Sequence, residues 1–467
     1  MVVWVGVVTI MLEPTENPNP SMMIDPPGWL RWLMRRQIDQ LIDPAAREKR
    51  RARAEAKRRR HGRPHIIEYF HQLDDPYSHL AAQTLRELSA RYDVIIEPHL
   101  IAASGGKDQP ELEKLGAWAR RDAELIAPHY GLDFPKDASS SPDADLQEQA
   151  ARYLAGLSRE ALFDALPDVS AALWASDSSG LPDPILSPKA AKKVLEAGSA
   201  RLKKMKHYSG AMFYYAGEWY WGVDRLFYLE QRFRDLGAHR SDEKSYIALR
   251  PQIDVAGIDA RSLTLDFFPS LNSPYTSIIY DKVIELKDAC GIQFCHKPVL
   301  PMIMRGVPAT RAKGAYIMFD TKREAEYLGV PFGPVITPIG EPVRRAYSLL
   351  PWAMRQGKDE TLISVLLRCA FSGGTELHTE KGLRKGVEAA GLDWKDARKI
   401  LGDSEWKTMV EGFQDEMIEG MELWGVPSFR LSGPDGELDL AVWGQDRLWL
   451  IAAEICRRTG KLRQASR

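Results

Sequence analysis

The stretch Trp424–Arg447 constrains this chain more than any other. It reads W-G-V-P-S-F-R-L-S-G-P-D-G-E-L-D-L-A-V-W-G-Q-D-R. Two apolar runs flank Pro434-Asp435-Gly436, a hairpin signal in which Gly436 supplies a positive φ at no steric cost. Gly444-Gln445-Asp446-Arg447 then opens a helix carrying Leu448, Leu450, Ile451 and Ile455. The unit predicted is strand, turn, strand, helix. The same plan occurs earlier: Met212-Phe213-Tyr214-Tyr215, a Gly217 turn, Trp219-Tyr220-Trp221, and a helix opened by Gly222-Val223-Asp224-Arg225-Leu226. Each unit has a matching strand and helix start far upstream. Asp74-Asp75-Pro76-Tyr77-Ser78 follows the run Ile66–Phe70, and Asn272-Ser273-Pro274-Tyr275-Thr276 follows Leu263–Phe268. Between the ends, Arg121–Pro135 echoes Arg323–Pro334, with R-D-A-E set against R-E-A-E. Self-similarity over a domain-length period implies a tandem duplication.

Gly-Val-Pro-Ser-Phe, a hairpin and Trp-Gly-Gln-Asp-Arg-Leu together resemble the C-terminal half of a DsbA-type thioredoxin-fold domain. The resemblance points to the branch of 2-hydroxychromene-2-carboxylate isomerases and kappa-class glutathione transferases. It implies an α/β chain of two tandem thioredoxin-like domains, each with an inserted helical subdomain. The boundaries expected are a disordered leader and basic amphipathic helix at 1–62, a first domain at 63–238, a linker at 239–260 and a second domain at 261–460. In that branch the proline is cis, so the resemblance implies a cis Val426–Pro427 bond. It also implies that Val426 offers its backbone to glutathione and that the Gln445-Asp446 turn holds the γ-glutamyl end. Glutathione is thus the expected cofactor, with an electrophilic or aromatic small molecule as substrate. Tyr316, Phe319, Tyr327, Phe332 and Trp352 in the second insertion are expected to wall the substrate pocket.

The family's reactive position is the start of the first helix, where backbone N–H groups and the helix dipole favour an anion. Redox members place Cys-x-x-Cys there. This chain has Ser273-Pro274-Tyr275-Thr276, and none of its four cysteines (Cys290, Cys295, Cys369, Cys456) forms C-x-x-C. Dithiol exchange then has neither nucleophile nor resolving thiol. In the glutathione-using branch a serine here donates a hydrogen bond that favours the thiolate, so Ser273 is the catalytic candidate, with glutathione as the nucleophile. A plain helix N-cap is the other reading of Ser273. In the first copy Asp75 replaces the serine and Ala211 the proline, which reads as a degenerate site. The second copy departs too, with Pro269-Ser270-Leu271-Asn272 where the family often has an aspartate. The rival to a glutathione-dependent isomerase or transferase is a non-catalytic thioredoxin-fold binding module.

Composition sets the remaining bounds. With 44% hydrophobic and 27% charged residues, the 467-residue chain is globular rather than fibrous or disordered. Four cysteines make no disulfide framework, and no spacing suggests a metal site. No run approaches the roughly 20 apolar residues of a membrane span. Val2–Leu12 has no preceding basic residue and reads as an over-long start rather than a signal peptide, so a cytoplasmic location is expected. Residues 13–27 read as an unstructured leader. Leu30, Met34, Ile38 and Leu41 then mark an amphipathic helix, continued by Arg47–Arg63 with ten Lys/Arg against two Glu. That segment is the place where nucleic acid or an anionic surface would bind. An oligomer is compatible with the sequence.

Overall fold

The computed structural model describes residues 25–103, 109, 111–136, 140–240, 243–307 and 310–460. The part of the expected leader before Asp25 lies outside them. The chain divides into two compact units, one of residues 47–251 and one of the N-terminal residues up to Ala46 together with 252 onward. The periodic N-terminal segment is not one helix. It breaks at Asp43-Pro44 into α1 (Gly28–Ile42) and α2 (Pro44–Arg60). Proline lacks the N–H that a continuous helix needs, and it disfavours the helical conformation in the residue before it.

In the unit 47–251, β1 (His65–Gln72) leads into α3 (Pro76–Gln83), α4 (Leu85–Arg91) and β2 (Val94–Ile101). The helix expected to run unbroken to Arg91 is interrupted at Thr84, whose hydroxyl donates to the Ala81 carbonyl at 2.7 Å. Among the described residues the insertion holds four α-helices, α5 (Leu112–Ile126), α6 (Ala144–Leu154), α7 (Arg159–Trp174) and α8 (Pro188–Lys204). The hairpin β3 (Met212–Tyr215) and β4 (Glu218–Trp221) and helix α9 (Leu226–Asp235) close the unit. Sheet order is β2-β1-β3-β4, with β1 parallel to β2 and antiparallel to β3. Alternation along β1 buries Ile67 and Tyr69 completely on one face, and Phe70 is fully buried on the other. The expected linker is partly structured: Ile247 donates its N–H to Glu230, and Arg234 bonds the Lys244 and Ser245 carbonyls.

The other unit repeats this order. β5 (Thr264–Phe268), α10 (Pro274–Cys290) and β6 (Gln293–His296) come first. The insertion is all helical: α11 (Arg311–Leu328), α12 (Glu341–Tyr347), α13 (Leu350–Arg355), α14 (Asp359–Phe371), α15 (Glu380–Ala389), α16 (Trp394–Ile400) and α17 (Glu405–Asp415). Then come β7 (Ser428–Ser432), β8 (Leu440–Trp443) and α18 (Leu448–Arg458). Sheet order is β6-β5-β7-β8, with the same parallel and antiparallel senses. Phe267 and Phe429, partners across β5 and β7, stack at 5.1 Å in the core. Helix α1 belongs to this unit: Arg31 donates to the Thr337 and Ile339 carbonyls, and Asp39 accepts the Val335 N–H. Asp25 and Pro26, at the end of the expected leader, are held by the same Arg31.

Candidate active site

Strand β5 ends at Phe268, and a turn brings the chain to Ser273 at the start of α10. Ser273 has extended backbone and accepts the Thr276 N–H on Oγ at 3.1 Å, with Pro274 at the first helical position. Tyr347 steadies the turn from α12, accepting the Leu271 N–H at 3.2 Å and donating to the Val299 carbonyl at 2.8 Å. Phe268 pairs with Ser428 across the sheet, which sets the residues before β7 beside this helix start. The Ser273 hydroxyl donates to the Val426 carbonyl at 3.4 Å, across 153 residues of sequence. The Val426–Pro427 bond is cis. Gly425 lies under the Trp443 indole so closely that a Cβ there would sit 1.7 Å from a ring carbon. Arg305 grips the same loop, donating to the Trp424 carbonyl at 2.5 Å and the Leu300 carbonyl at 2.9 Å. Burial lowers its pKa to about 10.

The turn 445–447 packs against α10. Gln445 is buried and donates its amide to Glu324 on α11 at 2.7 Å, so that side chain supports the turn from within. Asp446 is half-buried, with its Oδ1 3.7 Å from the Arg447 guanidinium. Behind them, Tyr275 donates to Asp320 at 2.9 Å and Arg323 holds the other Asp320 oxygen at 2.5 Å. Asp320 and Glu324 are fully buried. The structure thus gathers Ser273, Val426 and Pro427 at one point and seats Gln445 and Asp446 on the same helix. Of the aromatics expected to wall a pocket, Phe332 lies in the core, stacked on Phe371 at 6.0 Å.

In the unit 47–251 the equivalent place is filled by its own side chains. Asp75 caps α3, accepting from the Tyr77 and Ser78 N–H groups and from the Ser78 hydroxyl at 2.6 Å. Burial pushes the Asp75 carboxyl up to about 6. Tyr69 pairs with Phe213 as Phe267 pairs with Phe429, which puts Ala211 at the position of Pro427. The Ala211 N–H donates to Ser78 Oγ at 2.8 Å, and Ala211 has a positive φ of 55°. A Cβ on Gly210 would meet Asp75 Oδ2 at 2.8 Å and Ser78 Oγ at 2.9 Å. Asp224, the counterpart of Asp446, accepts the Tyr130 hydroxyl at 2.8 Å.

Residues 264–455 match the family model of the DSBA-like thioredoxin domain. That match spans the Ser273 helix start, the cis-proline and the Gln445-Asp446 turn. Among solved structures, a 2-hydroxychromene-2-carboxylate isomerase is 16% identical, covering 43% of this chain and 100% of its own, with a TM-score of 0.35. A probable DsbA oxidoreductase from Streptomyces coelicolor is 16% identical, covering 44% and 93%, with a TM-score of 0.33. The cytosolic disulfide reductase DsbM from Pseudomonas aeruginosa is 14% identical, covering 38% and 88%, with a TM-score of 0.30. Comparison with curated proteins gives no match.

Three side chains that brace the Ser273 helix start and the loop before Pro427 carry no local sequence motif: Arg305, Tyr347 and Asp320. Asp320 had a usable signal. Tyr77 bonds Asp122 and Tyr275 bonds Asp320, each pair 45 residues apart. That contact also corrects the register of the internal echo. Asp122 corresponds to Asp320, and Phe134 then falls on Phe332, so setting Arg121 against Arg323 was one helical turn out.

Proposed function

We propose that the DsbA-like domain binds glutathione at the Ser273 helix start and is a glutathione-dependent isomerase or transferase acting on an electrophilic small molecule. The observation that carries this reading is the Ser273 hydroxyl, aimed at the Val426 carbonyl beside cis-Pro427 from the first turn of a 17-residue helix. At 3.4 Å that bond is near the outer limit for a hydroxyl donor, so the proton is readily released to a stronger acceptor. Bound glutathione would supply a thiolate nucleophile. Ser273 then donates to the sulfur, and the N–H groups of the first turn add their dipole, so the thiol ionises more readily. The Val426 carbonyl, released by Ser273, becomes available to a peptide N–H, and Asp446 is the carboxylate for an ammonium group. With serine in place of Cys-x-x-Cys, the domain does not carry out dithiol exchange. The matching sheet orders support a further proposal, that the two units are copies and the first has lost its thiolate site.

A second reading, a non-catalytic binding module, is favoured by one observation. Ser273 is only 7% exposed, and its hydroxyl is bonded within the protein. Calorimetric titration of the full chain with glutathione separates the two. Saturable binding, with ultraviolet absorbance showing bound thiolate, is expected of the enzyme. No measurable heat leaves the binding module.

A further inference from the structure

Helix α2 has two electrically different sides. One side docks on its own unit: Arg51 reaches the buried Glu218 with two bonds of 2.6 and 2.8 Å, and Glu55 accepts from Arg58 and Arg59. Glu48, the helix's other carboxylate, pairs with Arg47 and Arg51. The opposite side carries Lys49, Arg50, Arg53, Lys57 and Arg60. At 3.6 residues per turn these five fall within an arc of about 100° and along roughly 17 Å of axis. All five are exposed, and among the described residues none has an acidic partner within ion-pair distance. The helix carries no aromatic residue, and apart from Pro44 its apolar residues are all alanines (Ala45, Ala46, Ala52, Ala54 and Ala56).

We propose that this face binds the phosphate backbone of a nucleic-acid duplex, without reading bases. The charge pattern selects among polyanions. A bilayer surface is held by basic helices that also insert bulky apolar side chains, and this face offers none. A single strand is held by aromatic side chains that stack on its bases, and these too are missing. A duplex demands only cations in a row, presenting one negative charge about every 1.7 Å of axis. The Arg51–Glu218 anchor fixes the helix, so the row is already ordered before binding.

Fluorescence anisotropy of the full chain with a labelled duplex of about 24 base pairs, in salt from about 50 to 200 mM, tests this. Three to five phosphate contacts give a log–log salt slope of about −3 to −4.5. Lys49→Gln, Arg50→Gln, Arg53→Gln, Lys57→Gln and Arg60→Gln combined should weaken binding at least about a hundredfold at low salt. Glutamine keeps the helix propensity, so circular dichroism should be unchanged. Arg53→Gln alone should reduce the slope by about one. No duplex binding at low salt overturns the proposal, as does a fivefold variant that binds like the unmodified chain. Tighter binding to a single strand of the same length, or to phosphatidylserine vesicles, also overturns it.

Discussion

Asp446 and Ser273 should respond differently to removal, because one is proposed to hold a charge and the other to tune one. Losing a partner of a buried charge-assisted hydrogen bond costs about 1.5–3 kcal/mol. Asp446→Ala should therefore weaken glutathione binding roughly ten- to a hundredfold by calorimetry. Ser273→Ala should leave affinity nearly intact while raising the pKa of the bound thiol, read from thiolate absorbance. Asp224→Ala should change neither, and an affinity indifferent to Asp446 would remove the proposed contact. A different residue controls pH behaviour. Glu230 is fully buried, accepts from Tyr92 and the Ile247 N–H, and is pushed by burial from 4.5 up to about 7. A carboxyl whose pKa is raised on folding contributes stability that is complete below its unfolded value and lost as pH rises through the folded one. Glu230→Gln should thus gain on the unmodified chain from about pH 4.5 to about pH 7, by on the order of 3 kcal/mol. Burial lowers His71 and His207 to about 3, which bends the unmodified curve the other way. The difference between the two chains in denaturant titrations is therefore the quantity to follow. At this scale Ser273 and Pro427 were legible, because cap and cis-proline are local motifs. Asp320 left only the repeated 45-residue Tyr–Asp spacing as a signal, because its role depends on which face of α11 meets Tyr275.

Among the elements, the strands, the helix starts and the helical character of both insertions were legible, whereas the breaks between successive helices were not. Leu362, Ile363, Leu366, Leu367 and Phe371 are all buried in α14, where only Thr361 and Arg368 are exposed, so its polar side is too narrow to mark the helix ends. The break between α1 and α2 was visible as Asp43-Pro44, yet the apolar repeat on one side and the arginine run on the other made the segment read as one helix. The loop before Pro427 shows why a glycine there is required. Gly425 has no room for a Cβ beneath Trp443, so Gly425→Ala must move either the indole or the Val426 carbonyl that Ser273 meets. Overpacking of this kind typically costs about 1–3 kcal/mol, and the thermal midpoint should fall accordingly. Gly412 in α17 is the opposite case, exposed and with nothing within 4 Å of the place a methyl would occupy. Gly412→Ala should raise stability by up to about 1 kcal/mol, as expected for an exposed helix interior. If both changes destabilise equally, the close approach at Gly425 is not what fixes that loop.

For the whole molecule, the paired signatures anticipated two sheets of one topology but not how the chain is shared between the units. Helix α1 was read with the basic segment that follows it, because sequence places them together. Its partners lie far along the chain: Arg31 meets the Thr337 carbonyl across 306 residues, and Asp39 meets the Val335 N–H across 296. A methyl on Gly333 would touch Ile42 at 3.0 Å, so the end of α1 also lies against this loop. Long-range contacts of that kind leave no mark on local periodicity. They make the unit that holds the proposed site discontinuous, with residues 47–251 inserted between its first helix and its first strand. A fragment 252–460 should therefore be incomplete, with the Thr337 and Ile339 carbonyls deprived of their guanidinium donor and the Leu30 and Ile42 contacts exposed. Leaving buried hydrogen-bonding groups unpaired costs about 1–3 kcal/mol each, so the fragment should melt well below the full chain. Adding a synthetic peptide of residues 25–46 should restore part of that loss, by an amount that grows with peptide concentration as linkage requires. Arg31→Ala in the peptide should abolish the rescue. A fragment that melts with the full chain, or ignores the peptide, would show that α1 is dispensable to the unit it packs on.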